Sequence, residues 1–199
     1  MEVDDLGAGS RHRNKNKKKL AEIAKNSLSP VAISKLYEHI IRYNDSKYIV
    51  ELGTSMGLNT LYLAKKKDAR VVTFEGSKTL GNIALTHFEL FEKENIRLIE
   101  GNIDHTLPEF LQNTEKINFA LLDANHRYEP TIRYFNLLTR RFNDNSIMVL
   151  DDIHWSEEME RAWKELYQHE LVYGSIDLFR CGVLFFDPAL NKQHFILSL

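Results

Sequence analysis

The chain has 199 residues, 43% hydrophobic and 27% charged, with a formal net charge of −2, values ordinary for one globular domain with a full core. That balance gives no overall pull toward nucleic acid or an anionic membrane. The lone Cys181 excludes an intramolecular disulfide, and no stretch approaches the roughly 20 apolar residues of a membrane span. With no apolar signal core at the N-terminus, the expectation is a soluble cytoplasmic protein outside the membrane.

The N-terminal stretch MEVDDLGAGSRHRNKNKKKL joins a short acidic run to six basic residues between Arg11 and Lys19. It reads either as a flexible arm leading into a solvated helix or as an arm that folds over a ligand about Gly7 and Gly9. It lacks the aromatic residues that stack on bases, which disfavours nucleic acid as a partner. Helices are predicted over 15–27 and 30–43, the second with Pro30 at its first position.

A regular alternation follows. Apolar runs rich in branched residues occupy 47–52, 70–75, 96–100, 117–123 and 146–151. Helix-capable segments fill 58–67, 78–94, 104–113, 128–142 and 155–169. Strands alternating with helices at this spacing predict a parallel sheet with helices on both faces. Near-continuous apolar strands agree, because such strands are buried on both sides. The final runs, LVYGSIDLF and CGVLFFD, are too close for a crossover helix and must form an antiparallel hairpin. Tyr173, Phe179, Phe185 and Phe186 read as its core, as does Trp163 on the preceding helix. Trp155 and Tyr128 are candidates for the wall of a substrate pocket.

Ligands of open α/β sheets sit beyond the carboxyl ends of the strands. The first strand ends in ELGTSMGLNT, Glu51 to Thr60. Gly53 and Gly57 permit tight turning and close backbone approach. Thr54, Ser55 and the amides opening the next helix offer hydrogen bonds to a polar group. The spacing is neither G-x-G-x-x-G nor a P-loop, which disfavours a nicotinamide enzyme and nucleotide hydrolysis. The second strand ends in Glu75, placed about 20 residues beyond the glycine turn to accept two ribose hydroxyls.

The segments ELGTSMGLNT, VVTFEGS, EGNIDHTLPEF, INFALLDANHRYEP and SIMVLDDIHW together resemble the successive motifs of class I S-adenosylmethionine-dependent methyltransferases. The nearest branch is the catechol/caffeoyl-CoA O-methyltransferase-like group, with the similarity covering roughly 47–186. The resemblance implies a Rossmann-like, doubly wound, mostly parallel sheet of seven strands with a C-terminal antiparallel hairpin. It implies one methyltransferase domain over 1–199, with 1–45 as arm and covering helices and 46–199 as core. S-adenosylmethionine would be the cofactor and a small molecule the acceptor, methylated on oxygen. Glu51, Gly53, Ser55 and Gly57 would surround its methionine part, with Thr54 a further cofactor contact, Glu75 the ribose, and Gly101, Asn102 and Ile103 the adenine. Asp123 would join the cofactor side to the acceptor. Related enzymes are often dimers, so a homodimer is a further expectation.

Asp123, Asp151 and Asp152 all end strands, and their oxygens could converge on Mg²⁺ or another divalent cation. The metal-dependent relatives carry Asp, Asp and Asn there. The alternative is that Asp151 or Asp152 caps the helix near Trp155. His126, three residues past Asp123, stands where those relatives carry a catalytic Lys, and its imidazole suits a general base near neutral pH. His154 is a second candidate. An RNA methyltransferase using the basic arm and a non-catalytic cofactor-binding module remain alternative readings of the chain.

Overall fold

The computed structural model describes residues 2–4, 17–19, 29–114 and 116–198. The chain forms two compact units, Met1–Glu109 and Phe110–Leu199. Among the described residues no helix is long and apolar enough to cross a membrane.

The first unit opens with two short antiparallel strands, β1 (Glu2–Asp4) and β2 (Lys17–Lys19), whose register sets Glu2 opposite Lys19 and Asp4 opposite Lys17. The helix expected over 15–27 is instead a strand at 17–19. The rest of that prediction, 20–27, lies outside the described residues, as do Gly7, Gly9 and the arm around them. α1 (Val31–Tyr43) begins one residue after Pro30, which is its N-cap. It buries Ile33, Tyr37 and Ile41, a stripe at helical spacing.

The alternation then runs β3 (Tyr48–Leu52), α2 (Leu58–Leu63), β4 (Arg70–Glu75), α3 (Lys78–Leu90), β5 (Ile96–Glu100) and α4 (Ile103–Gln112). β3 pairs with β4 and β4 with β5, both parallel, placing Glu51 opposite Thr73 and Glu75 opposite Glu100. Ile49, Val50, Leu52 and Phe74 are fully buried, so these strands are apolar because both their faces are covered.

The second unit contains β6 (Phe119–Leu122), α5 (Tyr128–Leu138) with a 3₁₀ turn at Thr139–Arg141, β7 (Ile147–Asp151) and α6 (Glu157–Gln168). It ends with β8 (Gly174–Asp177), β9 (Cys181–Phe185) and β10 (Gln193–Ile196). β6 and β7 are parallel, β9 lies antiparallel between β7 and β8, and β10 adds to β8 in parallel. The predicted hairpin is present. Counting three strands in the first unit's parallel ladder and five here, the α/β core has eight strands rather than seven. The added β10 was missed because QHFI has no buried position and so no inward-facing pattern to read.

Close packing fixes the hairpin against α6. A Cβ on Gly182 would lie 2.4 Å from the ring of Trp163, and Trp163 is buried as expected. Phe186 is buried too, but Phe179 is 78% exposed and belongs to no core. The reason is local: Phe179 stands at the tip of the β8–β9 turn with φ of 65°.

Candidate functional site

In the first unit the strand ends are tied together through one carboxylate. Glu75, the last residue of β4, accepts the Ser55 amide on Oε2 and the Ser77 amide on Oε1, each at 2.8 Å. Its own carbonyl accepts the Gly101 amide at 2.8 Å. The turns leaving β3, β4 and β5 thus converge on Glu75.

The turn after β3 needs unusual backbone. Gly53, Ser55 and Gly57 have φ of 102°, 49° and 77°. At Gly57 a Cβ would come within 2.7 Å of the Phe88 ring and 2.9 Å of the Ala84 methyl. Only glycine meets both the left-handed conformation and the close approach of α3. Gly101 has φ of 131° for the turn after β5. Asn102 then accepts the Asp104 amide on Oδ1 at 2.9 Å, while Ile103 is buried.

Glu51 is fully buried below this turn. Its Oε2 accepts hydrogen bonds from Thr60 at 2.5 Å and from Thr73 at 2.6 Å. Thr73 spends its only hydroxyl proton on Glu51, so the 2.6 Å contact with Thr54 is a bond donated by Thr54. The Thr54 hydroxyl is therefore committed to the interior. Burial pushes the Glu51 carboxyl up to about 7, opposed by the bonds from Thr60 and Thr73. Glu51 Oε1 is buried without a partner, as are both side-chain polar atoms of Asn59 on α2.

The second unit presents a different kind of site. After β6, Asp123 and Ala124 lead into a tight turn in which the His126 amide donates to the Ala124 carbonyl at 2.8 Å. Asn125 and His126 take φ of 64° and 38°. The Asn125 amide holds the turn by donating to the Tyr134 hydroxyl at 2.6 Å. His126 Nε2 lies 3.6 Å from Asp123 Oδ1, which brings the two predicted catalytic residues together but is too long for a hydrogen bond. Burial holds the imidazole pKa below its ordinary value, against the raising charges of Asp152 and Asp151, with Arg180 lowering it as well.

Asp151 ends β7, and Asp152 follows with φ of 54°. Neither caps α6: Ser156 is the N-cap and accepts the Met159 amide at 3.2 Å. Instead both acids meet Arg180. Its Nε and Nη2 reach the two oxygens of Asp151 at 3.2 and 3.3 Å, and Nε lies 3.2 Å from Asp152 Oδ1. Asp151 is 1% exposed and Arg180 40%. Desolvation works against the guanidinium charge, but Asp151, Asp152 and Asp123 outweigh it and raise the Arg180 pKa. Burial, followed by the Asp151 charge, raises the Asp152 pKa.

The three expected metal ligands are thus engaged with an arginine. Among the described residues no group of three or more His, Cys, Asp and Glu side chains is placed to hold a metal ion. Asp123, Asp151 and Asp152 have an arginine among them, and a guanidinium forked onto Asp151 takes the oxygens that a cation would need. His154 is also diverted. Its Nε2 lies 3.0 Å from Asp177 Oδ2, which accepts Trp163 Nε1 at 3.1 Å, and its ring packs on Phe179. Tyr128 donates to Glu165 at 2.5 Å under the guanidinium of Arg161, which braces α5 against α6, and it lines a cavity with Ile132 and Arg133. Trp155 is 40% exposed.

Residues 50–153, just over half of the chain, match a family model described as a methyltransferase domain. The chain belongs to this methyltransferase family. No curated protein matches it. Among solved structures, it is similar to the O-methyltransferase TomG from Streptomyces achromogenes, a tomaymycin-synthesis protein solved with SAM (S-adenosylmethionine). That match has 18% identity and a TM-score of 0.69 over 80% of this chain and 82% of the other. It is also similar to an O-methyltransferase from Bacillus cereus solved with SAH (S-adenosylhomocysteine), at 17% identity and TM-score 0.70 over 83% and 88% of the two chains. A protein from Staphylococcus aureus, provisionally named a caffeoyl-CoA O-methyltransferase, matches at 18% identity and TM-score 0.70, again over 83% and 88%.

Two residues of this methyltransferase went unnoticed in its sequence. Asn59 sits in the glycine turn motif itself, but nothing in GLNT announces that its amide is buried without a partner. Arg180 lies 28 residues beyond Asp152 in a segment whose pattern reads only as a hairpin. A charged residue in the short gap between two apolar strands was the available signal.

Proposed function

We propose that the chain, as one methyltransferase domain, transfers the methyl group of S-adenosylmethionine to a hydroxyl of a small acceptor. The observation that carries this reading is Glu75. Its oxygens are each fixed by one backbone amide, which locks the carboxylate in the orientation needed to accept two vicinal ribose hydroxyls. The Gly53–Gly57 turn admits the cofactor backbone-close, and the unpartnered Oε1 of Glu51 and amide of Asn59 suit its ammonium and carboxylate groups. Gly101, Asn102 and Ile103 flank the adenine, and Asp123 adds a carboxylate on the side toward the acceptor. When bound, the cofactor supplies an already activated methyl on a sulfonium. The chain therefore has to align the acceptor and take its proton. His126, kept neutral by burial, takes the hydroxyl proton. The freed oxygen pair forms the new bond to carbon, and the C–S pair stays on sulfur.

Isothermal titration with S-adenosylhomocysteine tests the cofactor half. Wild type binds at one site, and Glu75→Ala weakens binding by roughly 10²-fold, the scale of two charge-assisted hydrogen bonds. Folded wild-type protein that takes up no S-adenosylhomocysteine would sink the proposal. Radiolabelled methyl transfer to a panel of small hydroxylated acceptors then tests the reaction.

A further inference from the structure

We propose that the Arg180 guanidinium occupies the place of a divalent cation in this methyltransferase and grips the acceptor oxygen itself. The inference rests on the O-methyl transfer reading above.

Three observations support it. The first is charge. Asp123, Asp151 and Asp152 end neighbouring chain segments of the second unit, and Arg180 is a cation that all three attract. The fork from Nε and Nη2 onto the buried Asp151 fixes the plane of the guanidinium. The second is valence. The polar contacts of Arg180 use Nε and Nη2, while Nη1, with two N–H donors, makes no hydrogen bond among the described residues. The side chain is 40% exposed while its Nε–Nη2 edge is anchored on the buried Asp151.

The third observation is the way the chain holds Arg180 in place. The Arg180 amide donates across Phe179 to the Leu178 carbonyl at 2.7 Å, a turn that puts Phe179 at φ of 65°. Such a conformation at a non-glycine residue is strained. The buried Asp177 secures it, accepting the Phe179 amide on Oδ1 at 2.7 Å and Trp163 Nε1 on Oδ2 at 3.1 Å. A relaxed hairpin would be cheaper, and the strained one delivers Arg180 onto the acid pair.

A fixed cation beside a neutral imidazole is what deprotonation of a hydroxyl requires. The cation stabilises the developing oxyanion while the base takes the proton. A divalent ion would do the first task by coordination; Nη1 does it by charge-assisted hydrogen bonds.

The test is Mn²⁺ titration of the full chain by electron paramagnetic resonance, with S-adenosylhomocysteine present, in wild type, Arg180→Lys and Arg180→Ala. Wild type and Arg180→Lys take up no stoichiometric Mn²⁺. Arg180→Ala, with the guanidinium fork onto Asp151 removed, binds one ion at least about tenfold more tightly than wild type. Should Arg180→Ala fail to fold, Arg180→Gln, which keeps the stem and drops the charge, carries the same comparison. One tightly held Mn²⁺ in wild type, or no gain in the neutral variants, overturns the inference. S-adenosylhomocysteine binding is read in the same samples. Its loss in wild type breaks the cofactor reading, whereas its retention beside a loaded Mn²⁺ breaks only the role given to Arg180.

Discussion

The strand-end turns of the two units handle backbone strain in opposite ways. Around the turns after β3 and β5 of the first, the left-handed positions fall on Gly53, Gly57 and Gly101, with Ser55 the exception. At the strand ends of the second they fall on Asn125, His126, Asp152 and Phe179, none of them glycine. A site that works through amides and close approach uses glycine, because a side chain there would only be in the way. A site that works through side chains must keep them, even where the backbone conformation costs energy. The contrast separates a region that recognises by shape from one that acts by charge.

The largest effect should come from violating the first rule. Gly57→Ala adds a methyl 2.7 Å from Phe88 at a φ of 77°. Left-handed strain of about 1–2 kcal/mol and overpacking of about 1–3 kcal/mol sum to roughly 2–5 kcal/mol. Urea denaturation should show that loss together with weaker S-adenosylhomocysteine binding. A change below about 0.5 kcal/mol, the scale of a neutral surface substitution, would mean that α3 yields easily and that shape is not what the turn enforces.

How far each half was legible follows from the same contrast. ELGTSMGLNT and the strand-terminal Glu75 could be read because backbone-based recognition leaves a local signature of glycine at turns and an acid at a strand end. The strand–helix alternation was legible for a similar reason, since buried strands such as β3 must be apolar throughout. The charge-based half was read only in part. Asp123, His126, Asp151 and Asp152 drew attention as strand-terminal residues, but their balancing charge comes from Arg180 across a hairpin. Pairing over that separation leaves no periodicity, so the arginine beside the acids has no signature in the sequence. Phe179 was misassigned for a related reason: alternation cannot distinguish an inward aromatic from one turned out at a tight turn.

A smaller effect probes the interior of the first half. Burial raises the Glu51 carboxyl from 4.5 to about 7. A carboxyl whose folded pKa lies above its unfolded value binds more protons when folded, so stability falls as pH rises between those values. At 1.36 kcal/mol per unit, wild type should lose about 2–3 kcal/mol between pH 5 and pH 8 through this group. Glu51→Gln should lack that slope, whatever its absolute stability, in denaturation curves at the two pH values. Equal slopes in both proteins would mean that Glu51 stays ionised throughout, and that the first half also relies on a buried charge. The distinction between the halves would then narrow.

The smallest expected effect lies in the second half and concerns the coupling of His126 to its neighbours. Burial, aided by the Arg180 charge, lowers the imidazole pKa, while Asp152 and Asp151 raise it. A base with a lowered pKa remains unprotonated to more acidic pH, so the acid limb of methyl transfer should fall below the ordinary histidine value of 6.5. Arg180→Gln removes a lowering charge and leaves the two raising ones uncompensated. The limb should then move toward higher pH, and Arg180→Lys should restore most of it. Pre-steady-state transfer measured across pH in the three proteins reads this directly. A limb that stays in place when the arginine charge is removed would mean that burial alone sets the base. Arg180 would then act on the acceptor without tuning His126, and charge would govern one partner of the reaction instead of both.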